Sequence, residues 1–296
     1  MDLRQLRYFV AVAKARNFTR ASEALHIAQP ALSRQIQLLE QSLNATLLSR
    51  NSRPLQLTEA GKVFYEQAIQ ILGRVEQLKN TMERMTQNQR SVLSIGFVPS
   101  ILYGGLPSLV RKLRQSRAEL DIQLLELSSV QQIEALKTGR IDVGFGRVRS
   151  QDAGVERIVL REERLVAAIP LRSALARTEA PIELQQISGE SLLVYPNAPR
   201  PSFADTVLSL LHDVAVRPAE VIEVRELQSA LGLVAAEAGV CLVPTSARLR
   251  SDVHYRLVAD ERATSPVILS HRSNDSAWYI ETIKTLIQQM YVENPP

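Results

Sequence analysis

Residues 29–40 constrain this chain most, because their sequence predicts a helix with two chemically different faces. One face carries an apolar stripe with steps of four, three and four residues, formed by Leu32, Ile36, Leu39 and Leu43. That spacing is typical of a helix packed on a protein core. The other face carries amide, hydroxyl and guanidinium groups, which can hydrogen-bond to nucleic-acid bases and phosphates. The pattern alone also fits an ordinary amphipathic surface helix, so the neighbouring segments decide the interpretation.

Two shorter helices are predicted before this one. The first has an apolar stripe at Leu3, Leu6, Phe9, Val10 and Ala13. Asn17-Phe18-Thr19 interrupts that helix, and we expect Thr19 to cap a second helix over about residues 20–26. The inward face of the second helix is expected to be Ala21, Ala24 and Leu25. Two short helices joined by a tight turn form a helix-turn-helix, whose second helix enters the major groove of DNA.

Residues 29–40 are therefore the predicted DNA-reading helix, with Pro30 suited to its first turn. Two strand-like runs, 46–50 and 54–58, follow it and flank a turn at 51–53, which predicts a two-stranded wing. An arginine at a wing tip can reach a narrow minor groove, although Arg50 and Arg53 could also be merely solvated. The residues expected to contact DNA are Gln29, Pro30, Ala31, Ser33, Arg34, Gln37, Arg50, Arg53 and Pro54.

A long helix is predicted from Thr58, since no proline follows until residue 99. Its apolar residues alternate in steps of four and three over three heptads, at Phe64, Ala68, Ile71, Val75, Leu78, Met82 and Met85. A sustained repeat of about 3.5 residues favours a coiled coil. We expect this helix to join two copies of the chain, because the two DNA-binding units of a dimer can bind two half-sites. The alternative is a helix that packs on its own domain.

Positive charge is concentrated in the N-terminal part. Residues 1–90 hold 13 Lys/Arg and 7 Asp/Glu, a net charge of +6, whereas residues 91–296 carry −2. The positive field therefore coincides with the predicted DNA-binding unit. The sequence has no apolar signal region and no long apolar run, so we expect a cytoplasmic protein with no membrane partner. Cys241 lies in an apolar run and is expected to be a buried, inert thiol rather than a redox sensor.

After a polar linker at 87–91, strands and helices alternate, which predicts an α/β domain with a parallel sheet and crossover helices. Its size suffices for a core of its own. The predicted strands are 92–98, 122–127, 143–145, 165–169, 192–195, 221–224, 240–243 and 266–270. The predicted helices cover about residues 101–116, 130–138, 202–213, 226–237 and 276–291.

Serines stand where several of these strands run into helices. Ser100 follows the first strand, Ser129 opens a helix in which Gln132 completes a predicted capping box, and Ser202 begins another helix. Helix N-termini attract anions, and ligands of such sheets bind beyond the carboxyl ends of the strands. The three serines together predict an anion-binding site. The alternative is that each serine only caps its own helix.

Catalytic patterns are absent from the sequence. It contains no nucleophile elbow, zinc-protease motif, phosphate-binding loop or cysteine pair. The four histidines, at positions 26, 212, 254 and 271, lack the spacing of metal ligands. We therefore expect no catalytic residue, no metal and no cofactor.

Several blocks of residues carry a family resemblance. The N-terminal blocks are 3–9, 21–25, 38–40 and 57–61, together with Gln-Pro-Ala-Leu-Ser-Arg-Gln-Ile at 29–36. They resemble the LysR-type transcriptional regulators. The C-terminal blocks are 101–107, 135–147, 193–196, 201–203 and 231–236, which are similar to the branch of that family that controls catechol and benzoate breakdown.

The resemblance implies a winged helix-turn-helix at 1–58, a dimerising linker helix at 59–90 and an effector-binding domain at 91–296. The effector domain is expected to resemble the type 2 periplasmic solute-binding proteins. Its two subdomains would be 91–161 with 269–296, and 162–268, with chain crossings near 161–165 and 265–270. Members commonly form tetramers and activate an operon when an inducer binds between the subdomains. In this branch the inducer is often cis,cis-muconate or a chlorinated relative.

Carried over by motif, the implied inducer contacts are Ser100, Ser129, Pro201 and Phe203, with Arg147 nearby and Ser202 in the same predicted anion site. Arg200 could add charge for a dicarboxylate. The implied partners are promoter DNA, a small dicarboxylate or aromatic acid, further copies of the chain, and RNA polymerase. Alternatives are a LysR-type regulator of another pathway, a solute-binding protein, which needs an export signal, and an enzyme of the same bilobal fold, which needs a nucleophile–base pair or cofactor site.

Overall fold

The computed structural model describes residues 1–49, 54–86, 91–273 and 275–293. They form two compact units, Met1–Gln89 with Lys137–Arg140, and Arg90–Leu136 with Ile141–Pro296. The predicted wing-tip residues Arg50 and Arg53 lie outside the described residues, as does the side chain of Met85. No described helix is long and apolar enough to cross a membrane.

The first unit is a small helical domain. Its elements are α1 (Leu3–Ala15), α2 (Phe18–Ala24), α3 (Gln29–Leu43), β1 (Leu48–Ser49), β2 (Gln56–Leu57) and α4 (Glu59–Thr86). Leu32, Ile36 and Leu39 of the predicted α3 stripe are buried and form one core with Phe9 and Val12 of α1. The helical period in the sequence thus selects the face that α3 buries, and it leaves the polar face toward solvent.

The first two helices differ in detail from the prediction. The cap of α2 is Asn17 and not Thr19, because the Asn17 side chain accepts hydrogen bonds from the N–H groups of Thr19 (2.8 Å) and Arg20 (3.1 Å). Ala24 ends α2 and is exposed rather than inward-facing. The buried face of α1 is Leu6, Phe9 and Val12, whereas Leu3 is exposed and Val10 and Ala13 are only half-buried.

A charged side chain joins the antiparallel β1–β2 ladder to α3. The Glu40 carboxylate accepts hydrogen bonds from the N–H groups of Leu47 (2.8 Å) and Leu48 (3.1 Å). Gly61, in the first turn of α4, packs against the same segment, since a Cβ there would lie 2.0 Å from the Leu47 carbonyl oxygen. The missing side chain at position 61 therefore lets α4 close onto the base of the wing.

The second unit alternates strands and helices as predicted. Its strands are β3 (Ser91–Phe97), β4 (Leu120–Glu126), β5 (Val143–Gly146), β6 (Val155–Pro170), β7 (Ser191–Val194), β8 (Glu220–Glu223), β9 (Val240–Pro244), β10 (Val253–Leu257) and β11 (Thr264–Arg272). Its α-helices are α5 (Leu106–Ser116), α6 (Ser129–Lys137), α7 (Phe203–Asp213), α8 (Leu227–Ala235) and α9 (Trp278–Glu293). Short 3₁₀ helices lie at Pro99–Tyr103, Ala174–Arg177, Leu184–Ile187 and Thr245–Ala247.

Within the described residues the strands form a nine-stranded mixed sheet, whereas the alternation of strands and helices predicted a parallel one. The strand order is β4-β3-β5-β11-β6-β9-β7-β8, with β10 paired to β6. β3 is parallel to β4 and β5, and β7 is parallel to β8 and β9. The long strands β6 and β11 are antiparallel to their neighbours and join these two parallel parts.

The two larger hydrophobic cores of the second unit define two lobes. The first lobe packs β3, β4 and β5 with α5 and α9, and the second packs β7, β9 and the later part of β6 with α7 and α8. The chain changes lobes within β6, which pairs with β11 through Arg164 and with β9 from Leu165 onward. Val267, which the predicted boundary assigns to the second subdomain, packs in the core of the first lobe.

Three elements of this unit differ from the prediction. β6 has 16 residues, whereas the prediction covers only 165–169. Its first ten residues, 155–164, include Arg161, Glu162, Glu163 and Arg164, so no hydrophobic alternation marks this part as a strand. β10 is an additional strand, and Gly104-Gly105 divides the predicted helix 101–116 into the 3₁₀ helix Pro99–Tyr103 and α5.

Replacing Gly61 with alanine should destabilise the first unit, because the new methyl group overlaps the Leu47 carbonyl oxygen. We expect a loss of about 1–3 kcal/mol, typical of overpacking, and a lower melting temperature in calorimetry of the full chain. Gly232→Ala in α8 is the matched control, since a Cβ there meets no atom within 4 Å. That control should gain about 0.5–1 kcal/mol from helix propensity. Equal stability of the two variants would contradict the close packing of α4.

Candidate ligand-binding cavity and nucleic-acid interface

A cavity of about 390 Å³ lies between the two lobes of the second unit. Three residues that directly follow strands, Val98 after β3, Arg147 after β5 and Tyr195 after β7, lie on its wall. Ligands of α/β sheets bind beyond the carboxyl ends of strands, and this cavity has that position. The six predicted inducer contacts all line it: Ser100, Ser129, Arg147, Pro201, Ser202 and Phe203.

The N-termini of α6, α7 and α8 also meet at the cavity. Ser129, Phe203 and Leu227, the first residues of these helices, are part of its wall. Each helix start carries partial positive charge and N–H groups that the helix itself does not use. Three such helix starts around one cavity favour a negatively charged ligand.

Arg147 organises the wall that the first lobe contributes. Its Nε donates to Ser100 Oγ (2.8 Å) and its Nη1 donates to Ser265 Oγ (3.3 Å). Its backbone N–H donates to Ser129 Oγ (3.2 Å). The oxygens of Ser100 and Ser129 therefore act as acceptors toward Arg147, which leaves their O–H groups free to donate to a ligand.

The role of Ser129 differs from the predicted cap. The capping box of α6 is one residue earlier: the Ser128 N–H donates to the Gln131 side chain (3.0 Å), and the Gln131 N–H donates to Ser128 Oγ (3.2 Å). The Gln132 side chain instead donates to the Leu127 and Phe145 carbonyls. Ser129 is therefore not the cap of α6, and its side chain is buried and lines the cavity.

Ser202 differs from the other two serines, because its hydroxyl is already used. Ser202 Oγ donates to the Pro196 carbonyl (2.8 Å), and its N–H donates to the Asp205 carboxylate (2.7 Å). Its side chain fixes the loop before α7. Phe203 adds an apolar wall, with its ring centroid 5.4 Å from that of Tyr195.

Arg200 does not supply charge to the cavity as expected. Its guanidinium pairs with Asp205 (2.6 Å) and Glu223 (2.8 Å), and it is not among the residues that line the cavity. Two carboxylates of the second lobe hold this side chain, so its charge is compensated there.

The charge of Arg147 is balanced by Glu163 of β6, which the sequence did not indicate as a site residue. Arg147 Nη2 lies 2.7 Å from Glu163 Oε2, and both side chains are buried. The other carboxylate oxygen, Glu163 Oε1, accepts a hydrogen bond from the Ser246 N–H (2.6 Å) beyond β9. Burial raises the pKa of Glu163. The Arg147 charge and the hydrogen bonds from Ser246 and Arg147 lower it by more, so the pKa lies below its ordinary value.

The polar face of α3 is placed as a nucleic-acid interface requires. Gln29, Pro30, Ala31, Arg34 and Gln37 are exposed, as is Pro54 before β2, whereas Ser33 is half-buried. The cap position of α3 is Ala28, whose side chain accepts no hydrogen bond from the helix start. The first N–H groups of α3 therefore suit contacts to phosphate oxygens.

The apolar seam of α4 is shorter than predicted. Phe64 packs edge-on against Phe9, with 5.1 Å between ring centroids, and Ala68 is buried. These two residues are used in the packing of their own chain, which corrects the predicted start of the dimerisation surface. Val75 is half-buried, whereas the exposed apolar side chains of the seam are Ile71, Leu78 and Met82.

Comparison with known families decides the class of the protein. The model of the bacterial regulatory helix-turn-helix protein, lysR family, matches residues 3–62, and the model of the LysR substrate binding domain matches residues 86–289. The chain belongs to the LysR family of transcriptional regulators. The predicted fold class is confirmed, and so is the prediction of a DNA-binding regulator rather than an enzyme.

Relatives of this LysR regulator match it along its whole length. The probable cat1 operon transcriptional activator of Acinetobacter lwoffii is 62% identical, covering 100% of this chain and 98% of the relative. The HTH-type transcriptional regulator CatR of Pseudomonas putida is 47% identical, covering 98% of this chain and 99% of the relative.

Solved structures show a similar fold. Full-length CbnR complexed with its target DNA is 30% identical, with a TM-score of 0.62, covering 98% of this chain and 99% of that chain. The BenM effector binding domain with its effector benzoate is 36% identical, with a TM-score of 0.66, covering 69% of this chain and 94% of that chain.

Glu163→Gln should destabilise the second unit, because it leaves the Arg147 charge buried without its partner. We expect a loss of about 3–5 kcal/mol at pH 7, measured by chemical denaturation. Since the folded pKa of Glu163 is lowered, its contribution is present above its ordinary pKa of about 4.5 and is lost as the pH falls further. The difference between wild type and variant should therefore shrink as the pH falls below about 4.5 and through the lowered pKa of Glu163.

Glu162→Gln is the matched control for this change. Glu162 is the preceding residue of β6, but it is exposed and pairs with the exposed Arg149. An exposed pair contributes at most about 1 kcal/mol. Equal effects of the two substitutions would contradict the importance of the buried pair.

Proposed function

We propose that this LysR regulator activates an operon for aromatic breakdown when a small organic acid binds in the cavity between the lobes. The observation that carries the proposal is the set of donors at the cavity. The O–H groups of Ser100 and Ser129 have no acceptor among the described residues, and three helix N-termini face the same space. A carboxylate is the group that such donors bind best.

The size of the cavity supports a small ligand. Its volume of about 390 Å³ is near the lower end of the range for small-molecule pockets, about 300–1,000 Å³. Phe203, Pro201 and Val98 give it apolar walls, which suit a short carbon chain or ring. We therefore propose cis,cis-muconate or a chlorinated muconate as the inducer.

The relatives support the pathway. The 62% identical relative is described as an activator of the cat1 operon. The BenM domain carries benzoate as its effector, so an aromatic monocarboxylate is the second candidate ligand for this chain. A regulator of another pathway with a different acid remains the alternative, and it predicts binding of neither compound.

We propose that α3 reads the major groove of promoter DNA and that the wing, with Arg50, Arg53 and Pro54, contacts the adjacent groove. The exposed polar face of α3 and its free N-terminus support this arrangement, and CbnR is a relative solved on DNA. Ile71, Leu78 and Met82 support pairing of two chains along α4. Further proposed features are pairing of dimers into tetramers, contact with RNA polymerase and a cytoplasmic location.

Ligand binding would act by shifting the equilibrium between open and closed arrangements of the two lobes. An acid that contacts both lobes binds the closed arrangement better than the open one, and only this difference in affinity shifts the equilibrium. We propose that the shift changes how the paired DNA-binding units bind DNA.

A panel of acids tests the proposal on the purified full chain. Muconate at about 100 times its dissociation constant should add about 2.7 kcal/mol of stability, measured as a rise in melting temperature. Replacing both Ser100 and Ser129 with alanine should abolish most of this rise, because the carboxylate loses two donors. Affinity for operator DNA should stay unchanged.

Ser202→Ala is the control for the double variant, since the Ser202 hydroxyl is already bonded to Pro196. It should retain the response to acid more fully than the double variant does. Loss of DNA binding in the Ser100/Ser129 variant would contradict the assignment of these serines to the ligand. Absence of any acid response in the wild type would reject the proposed function.

Arg34→Ala should weaken binding to the operator by about 1–3 kcal/mol if Arg34 reads a guanine. Electrophoretic or fluorescence titrations on operator and scrambled DNA measure the effect. Arg34→Lys is the matched control, because it keeps the positive charge but cannot form the bidentate hydrogen bonds of a guanidinium group. Equal losses on both DNA sequences would contradict base reading and indicate a phosphate contact.

A further inference from the structure

Tyr195 has a buried hydroxyl for which the described residues provide no hydrogen-bond partner. The side chain is 6% exposed and lies on the wall of the cavity, beside Phe203. Buried hydroxyl groups of native proteins are nearly always hydrogen-bonded. The oxygen itself is buried rather than exposed to the cavity, so a bound ligand supplies its missing partner only if the ring turns or the lobes close around the ligand.

The groups near the phenol are already engaged with other partners. The Arg147 side chain is a pure donor and bonds to Ser100, Ser265 and Glu163. The Cys241 thiol donates to the Leu242 carbonyl at 3.6 Å. A donor such as the Tyr195 O–H therefore gains more from a new acceptor than from these neighbours.

The phenol is also in the right protonation state to donate. Burial raises the pKa of Tyr195 well above its ordinary value, and the nearby Cys241 and Glu163 act in the same direction while Arg147 opposes them. The hydroxyl therefore stays neutral through the physiological range, where it carries the proton that a carboxylate accepts.

We propose that the Tyr195 hydroxyl donates a hydrogen bond to the acid bound in the cavity and selects dicarboxylates over monocarboxylates. The inference rests on the proposed function and extends it. Ser100 and Ser129 belong to the first lobe, whereas Tyr195 packs in the core of the second lobe. An acid with a carboxylate at each end can satisfy donors of both lobes at once, and benzoate, with one carboxylate, can satisfy only one set.

Tyr195→Phe tests this inference by isothermal titration of the full chain with cis,cis-muconate and with benzoate. Loss of a hydrogen bond to a charged group should weaken muconate binding by about tenfold or more. Benzoate binding should change by less than about threefold. Tyr255→Phe is the matched control, because Tyr255 lies in the same lobe, outside the cavity, and its hydroxyl accepts a bond from the Arg250 N–H (3.2 Å). It should leave both affinities unchanged.

The melting temperature of the ligand-free variant distinguishes a ligand contact from a structural one. Removal of an unpaired hydroxyl should leave the melting temperature unchanged or raise it. A fall of several degrees would mean that the hydroxyl already has an internal partner, and it would overturn the inference. Unchanged muconate affinity in Tyr195→Phe, or equal loss for both acids, would also overturn it. The proposed function fails separately, when the wild type itself binds neither acid.

Discussion

The arrangement of the effector domain depends on the buried ion pair between Arg147 and Glu163. Removing two charges from water is costly, and a buried pair is retained only where further hydrogen bonds satisfy both partners. Here the guanidinium also bonds Ser100 and Ser265, and the carboxylate accepts the Ser246 N–H. The pair thus connects a strand end of the first lobe, the crossing strand β6 and the residues after β9 in the second lobe.

The same interaction decides the chemistry of the cavity. Because Glu163 compensates the charge of Arg147, the cavity does not hold an isolated buried cation in the absence of ligand. Arg147 instead uses its N–H groups to fix the oxygens of Ser100 and Ser129, and this orientation leaves their protons available. On the proposed function, the attraction for an acid would then come from hydroxyl donors and helix N-termini, without rearrangement of the ion pair.

The sequence predicted those parts of the structure whose residues follow a clear period or motif. The stripe of Leu32, Ile36 and Leu39 identified the buried face of α3, and the family motif placed Ser100 and Ser129 at one cavity. It failed where a contact depends on the tertiary fold. Glu163 lies in a charged run, and its partners, Arg147 and Ser246, follow other strands. The caps Asn17 and Ser128 lie one or two residues from Thr19 and Ser129, which suit the cap position equally well. Phe64 fits a heptad, but its partner, Phe9, belongs to the same domain.

The proposed distribution of donors over two lobes would allow a small acid to control the DNA-reading helix of the other unit. A ligand held by one lobe alone has the same contacts in open and closed arrangements, so it shifts no equilibrium, however tightly it binds. With the proposed donors, Ser100 and Ser129 on one side and Tyr195 on the other, affinity would depend on the distance between the lobes. On this proposal the preference for two separated acceptors serves regulation as well as recognition, since a dicarboxylate would favour closure more than a monocarboxylate does.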